Sequence, residues 1–148
     1  MSIASMFEPE TLIMERFDAL FPTDMIFSES DATDLDNETF AVNEIVDDRV
    51  GCIVVNAGYR SEPLVGNNRN PQQKIKMLWQ VVVICPRELY ATVGGGKMLE
   101  VIAALKGYRL SSDFDYMQLI DDERGFNRPE YANDIAYLPM MFSVSAVI

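Results

Sequence analysis

The chain contains no histidine. That removes Ser-His-Asp and Cys-His nucleophile arrangements, every histidine-containing metal site, and the commonest general base near neutral pH. Cysteine is scarce: Cys52 and Cys85 are the only two, both inside apolar runs. Two cysteines cannot build a structural zinc site. They read as free, reduced, buried thiols in a cytoplasmic context; a disulfide between neighbouring strands would need their Cα atoms close together. Basic residues are few, 12 against 23 acidic ones, for a net charge of −11. A negative field argues against non-specific attraction to DNA, RNA or anionic lipid, although a negative wall suits a pore through which DNA slides. No apolar run approaches the roughly 18 residues of a membrane span. The start, MSIASMFEPE, has neither a basic segment nor a long apolar one, so no signal peptide is expected.

What is present is ordinary globular material. Hydrophobic residues make up 49% of 148 positions and charged residues 24%, which rules against disorder of the whole chain. A chain of this length forms one domain and buries about 68–70% of its unfolded surface, so its core needs no disulfide or metal.

The periodicities predict an α+β fold: a mainly antiparallel β-sheet flanked by two helices. Pro9 to Leu20 reads as a helix, with Pro9 at its start and Ile13, Phe17 and Leu20 on one face, Glu15, Arg16 and Asp18 outward. Met25 to Phe27 reads as a short strand. Residues 29–48 then carry eight acidic side chains and no Lys or Arg; the first part reads as a loop and Phe40 to Val46 as an edge strand. Gly51 to Tyr59 is a strand. The stretch SEPLVGNNRNPQQ after it is rich in Pro, Gly and Asn, predicts a break in regular structure, and is long for a hairpin loop.

Lys74 to Cys85 is the strongest strand, with one wholly apolar face at Ile75, Met77, Trp79, Val81, Val83 and Cys85. Its other face ends in Val82 and Ile84, so that end is expected to be covered on both sides, by a second layer or a partner subunit. Pro86 ends it. A loop through Gly94, Gly95 and Gly96 leads to a second helix, Lys97 to Lys106, with Gly107 at a left-handed cap. Tyr116 to Ile120 reads as a strand, DDERGFNRPE as a polar loop, and Ile135 to Ile148 as a final strand in which Pro139 suggests an edge or a bulge.

Four motifs invite chemistry. Gly94-Gly95-Gly96-Lys97 sits between a strand and a helix like a phosphate loop, but Ala91 and Met98 stand where that motif needs Gly and Ser or Thr. A loop that turns the chain into the helix is the favoured reading. Asp34, Asp36 and Glu38 have alternating spacing, yet an EF-hand register places Thr39 and Ile45 where Gly and Glu belong; a solvated acidic loop is favoured. Asp121, Asp122 and Glu123 are adjacent loop carboxylates, which favours exposure over acid–base work. Trp79 lies on a continuous apolar face and reads as core. No catalytic, cofactor-binding or metal-binding residue is assigned. Arg60, Asn67, Asn68 and Arg69 in the long loop at 60–72, with Arg124 and Arg128 in the later polar loop, are interaction candidates; simple surface solubility is the alternative for the two later arginines.

From Lys74 onward the sequence runs KIKMLWQVVVICPRELY, then GGGKMLEVIAALKGYRL, and closes on MMFSVSAVI. This resembles the tail terminator proteins of Mu-like phages and related contractile tails, including phage-derived bacteriocin particles. The resemblance covers about half the chain, and its motifs are apolar periodicities with a glycine or two; the acidic insertion at 29–39 departs from the family pattern. It implies a structural, non-enzymatic protein forming a ring, usually sixfold, on the head-proximal end of the tail tube. Such a ring stops tube and sheath polymerisation and offers the neck or head a docking surface. Implied partners are further copies of the chain, the tube protein, the sheath protein and neck or connector proteins, with DNA only passing through the lumen and no membrane. The implied location is the neck end of the virion tail, after assembly in the host cytoplasm. The half-apolar second face of strand 74–85 and the edge of the final strand are then candidate ring contacts, and the 60–72 loop a candidate arm toward tube or sheath. Other readings are another neck or tail-completion ring protein, a nucleotide-binding or hydrolytic enzyme using Gly94–Lys97, and a monomeric binding module.

Overall fold

The computed structural model describes residues 3–21, 25–28, 50–66, 71–121, 127–132 and 134–148. The acidic stretch 29–48, the strand expected at Phe40 to Val46, and Asn67, Asn68, Arg69 and Arg124 lie outside them. Two helices pack on one face of a six-stranded sheet. The helices are α1 (Glu8–Leu20) and α2 (Gly95–Leu105); the strands are β1 (Met25–Ser28), β2 (Gly51–Ser61), β3 (Lys74–Pro86), β4 (Gln118–Ile120), β5 (Glu130–Ala132) and β6 (Ile135–Val147). The sheet order is β1-β2-β3-β6-β4, with β5 also on β6. Only β1 and β2 run parallel; the other pairs are antiparallel. The expected α+β class is the observed one.

Period-two alternation makes β3 and β6 the spine. Along β3, Ile75, Met77, Trp79, Val81, Val83 and Cys85 are all buried, opposite Ala146, Val144, Phe142, Met140, Leu138 and Ala136 of β6. Opposed residues share a face of the sheet, and this face receives Ile13 and Phe17 of α1 with Val101, Ala104 and Leu105 of α2. Each large apolar side chain sealed here contributes about 1.5–3 kcal/mol. Trp79, expected as core, is 1% exposed.

Helix α1 follows its sequence pattern with two exceptions. Leu20 is exposed rather than facing the sheet. Arg16, expected outward, is half-buried: its Nε donates to the Ala104 carbonyl at 3.3 Å, and its guanidinium lies 3.9 Å from the centre of the Tyr108 ring. A cation at the carbonyl end of α2 is favoured by the helix dipole. The Phe21 N–H, donating to the Phe17 carbonyl, closes the last turn before Pro22.

The glycine triplet is not a loop. Residues 87–94 form a 3₁₀ turn followed by a π turn, continuous with α2, so helical structure begins at Arg87. Packing explains the first glycine. A Cβ on Gly94 would stand 2.8 Å from Cys85 Sγ and 2.8 Å from Leu138 Cδ1, so only glycine lets this turn lie against the sheet. Gly107 does take the left-handed conformation expected of it, with φ +73°. Neither cysteine is in a disulfide, both are buried, and burial pushes the Cys85 thiol pKa up.

Pro139 sits inside a long ladder rather than at a bulge. Asp115 N–H donates to the Ser145 carbonyl, so odd-numbered residues of β6 turn their backbone polar groups away from β3. Pro139 therefore lacks its N–H on the side away from β3, in the gap between β5 (opposite 135–137) and β4 (opposite 141–143). The third element on this side is the segment at Phe114 and Asp115, paired with Ala146 and Ser145. The outer edge of the final strand, a candidate ring contact in the sequence, is thus largely occupied by the chain's own backbone.

Candidate assembly surfaces

The long loop after β2 is more ordered than its composition suggests. Strand β2 continues to Ser61, the Glu62 N–H donates to the Lys74 carbonyl at 3.0 Å, and Val65 and Gln72 exchange two hydrogen bonds of 2.7 Å. Gln73 Nε2 also donates to the Glu62 carbonyl at 2.9 Å. These contacts prolong the β2–β3 hairpin past Ser61 into an arm that Ile148 flanks at its base, its N–H donating to the Gln73 carbonyl at 2.9 Å. Leu64 is 65% exposed on this arm and Val65 58%. Arg60 lies at its base, exposed, opposite Lys76 on the face away from the helices.

A β-bulge precedes the arm. The β2–β3 register shifts between Asn56 and Gly58, leaving Ala57 as the extra residue. Gly58 has φ +110°, a conformation that favours glycine, and its N–H donates to Asn56 Oδ1 at 2.8 Å.

At the arm's base, on the helix side, is a cleft of about 420 Å³. Met77 and Trp79 contribute to its lining along with Met6, Phe7 and Tyr59. Phe7 and Tyr59 remain 59% and 67% exposed. The Trp79 indole N–H is buried and has no acceptor among the described residues, an uncommon state for a buried donor.

Among the described residues the β2 edge beside this cleft is open over its upper half. Strand β1 pairs only with Gly51 to Val54. Because Glu62 directs its N–H to β3, the alternation turns Gly58 and Arg60 toward β3 as well, and the backbone groups of Tyr59 and Ser61 away from it. No described strand pairs with them.

The second face of the sheet carries a smaller apolar cluster. Ile84 and Ile135 are buried there, with Ile53, Val82 and Tyr137 packed against them. A hollow of about 230 Å³ lies beside it, lined by Gln80, Val82, Glu130, Tyr137 and Pro139. The expected apolar end of β3's second face is present.

The remaining sequence candidates scatter. Arg128 is exposed just before β5, and Asp121 is exposed after β4. Lys97 does not stand ready for a phosphate: its Nζ is 2.7 Å from Glu100 Oε2 and 4.0 Å from the centre of the Phe21 ring. Arg109, beside a third hollow, donates from Nε to the Phe114 carbonyl at 2.7 Å and from Nη2 to the Ser112 carbonyl at 3.0 Å, which fastens the 111–115 turn. Among the described residues, no group of three or more Cys, Asp or Glu side chains is placed to hold a metal ion, and no helix is long and apolar enough to cross a membrane.

The arm was half legible in the sequence and the cleft was not. Leu64 and Val65 are apolar residues in a Pro/Gly/Asn-rich stretch, a signal for a contact arm, but Phe7 and Met6 lie far from Tyr59 in sequence and join it only through α1's docking. Comparison with known proteins finds no matching family model and no similar curated protein.

Proposed function

We propose that the chain is a structural subunit of a contractile phage-type tail, a terminator that forms a ring on the head-proximal end of the tube. In this role it stops tube and sheath growth and presents a docking surface to the neck. The observation that carries the reading is the arm: a hairpin prolonged past Ser61 by its own hydrogen bonds, with Leu64 and Val65 exposed to solvent. Isolated exposed apolar residues need no explanation, but a braced projection bearing two of them suits a protein contact. A ring further requires two unlike patches on one subunit. The arm, the cleft at its base and the apolar second face of the sheet supply surfaces of different shape. The resemblance of residues 74–148 to tail terminators supports the same reading.

The test is to mix purified chain with tail tubes and image the ends by negative stain, alongside light scattering of the chain alone. Rings capping one tube end are expected, and tubes polymerised in its presence should be of restricted length. A strict monomer that leaves tube ends bare would overturn the reading. Removing residues 64–70 is expected to abolish capping while leaving the fold intact by circular dichroism. Caps on the neck complex but not on tubes would move the assignment to another neck or tail-completion ring protein.

A further inference from the structure

We propose that neighbouring copies join head to tail, with the arm of one copy, at Leu64 and Val65, entering the cleft of the next between Phe7 and Tyr59. The inference rests on the reading of the chain as an assembly subunit and assigns the contact that builds the assembly.

Four observations lead to it. First, the exposed apolar surface at this pole is large: Phe7, Tyr59, Leu64 and Val65 are each more than half exposed. In one contact the arm of one copy and the cleft of the next together present on the order of 500 Å², about a third of the roughly 1,600 Å² that the two partners of a standard interface bury in total, the backbone of the edge supplying the rest. Second, the edge at Tyr59 and Ser61, unpaired among the described residues, offers outward N–H and C=O groups, and the natural complement of such an edge is another extended backbone. The arm is the extended, apolar-tipped segment that every copy of this chain carries. Third, the arm cannot serve its own cleft. Leu64 lies beyond the end of β2, five residues along the chain from Tyr59, and the bonds at Glu62–Lys74 and Val65–Gln72 brace the hairpin against folding back. Fourth, the buried Trp79 N–H of the cleft lining lacks an acceptor among the described residues, so an occupant bringing carbonyl groups suits the site better than a purely hydrocarbon one.

Arm and cleft are different surfaces, so the contact is heterologous. Each copy gives one arm and receives one, and successive additions close into a ring where the rotation between neighbours allows it.

The experiment follows the mass of the intact chain by sedimentation across a concentration series. Two variants divide the contact: L64D/V65D spoils the arm and F7D spoils the cleft. All three positions are exposed, and an aspartate at residue 7 stands at the N-cap of α1, where it favours the helix, so both variants are expected to fold. Each should weaken self-association at least about tenfold, as loss of a central apolar contact does. Mixing the two should restore pairing that stops at a 1:1 dimer, because one sound arm then meets one sound cleft. As a second measurement, Leu64→Cys combined with Phe7→Cys should give a ladder of disulfide-linked oligomers on mild oxidation, while Cys52 and Cys85 remain buried.

Wild-type assembly that both variants leave unchanged would overturn this contact and leave the subunit reading standing. A wild-type chain that stops at dimers would overturn head-to-tail joining in favour of two-fold exchange. A chain monomeric at every concentration would also overturn the contact, and the tube-capping assay then decides the subunit reading separately.

Discussion

The two long edges of this sheet are treated in opposite ways. Along β6 the outer edge is filled piecemeal by β5, by β4 and by the 114–115 segment, and the one gap holds a proline. Along the upper half of β2 no described segment pairs with the edge, and an exposed tyrosine stands beside it. Unprotected edges invite pairing with other chains, and proteins normally blunt them. Among the described residues three separate segments close one edge and none closes the upper half of the other, an arrangement that suits the one-directional growth proposed above. The filled edge is architecture; the unfilled one is the side the proposed contact would use.

That contrast can be broken at several strengths. The largest effect is expected on the closed side. Phe114 is 1% exposed and lies against β6; Phe114→Ala should destabilise the fold by about 3–5 kcal/mol in urea unfolding. On the open side, Tyr59→Ala should change the unfolding midpoint by no more than about 0.5 kcal/mol, as exposed substitutions do, while weakening self-association. Equal losses of stability at the two sites would erase the distinction.

Gly94→Ala comes next. The added methyl meets Cys85 Sγ and Leu138 Cδ1, and overpacking of this kind costs about 1–3 kcal/mol. Gly107→Ala forces a side chain into a left-handed turn whose N–H donates to the Met117 carbonyl. A cost of about 1–2 kcal/mol is expected, visible as a lowered Tm. The smallest effect is one of pH. Burial raises the Cys85 pKa, so the folded state holds this proton more tightly than the unfolded chain. Its contribution is fully present below the ordinary thiol value of about 8.5 and is lost as pH rises through the higher folded value. Stability should therefore decline slightly in alkali, and Cys85→Ala should flatten that decline.

Much of the spine was readable because alternation and burial coincide: β3 and β6 announce their core faces residue by residue, and Gly107 follows a helix of clear period. The turns at 87–94 were hidden because their reason is tertiary. Gly94 is required by a cysteine and a leucine on two other strands, which local composition does not reveal. Arg16 looked solvent-facing for the same reason, since its acceptor is the end of a helix 88 residues away. The arm was half visible, its residues flagged by composition but its ladder masked by Pro, Gly and Asn. The cleft was not visible at all, because Phe7 reaches Tyr59 only through the docking of α1.

The extra residue at Ala57 governs which way the arm is greased. Below it, Cys52 and Val54 face the helices with the even count; above it, Tyr59 and Ser61 take that side and Arg60 is sent to the other. Threaded through a regular ladder with no bulge, the same sequence would pair Gly58 with Met77 and Arg60 with Ile75, sending the guanidinium to the helix side and the aromatic ring to the opposite surface. One backbone irregularity thus works as a parity switch: it absorbs Ala57 so that Tyr59 and Ser61 keep the helix side, and deleting that alanine would give a regular ladder with the same two sides.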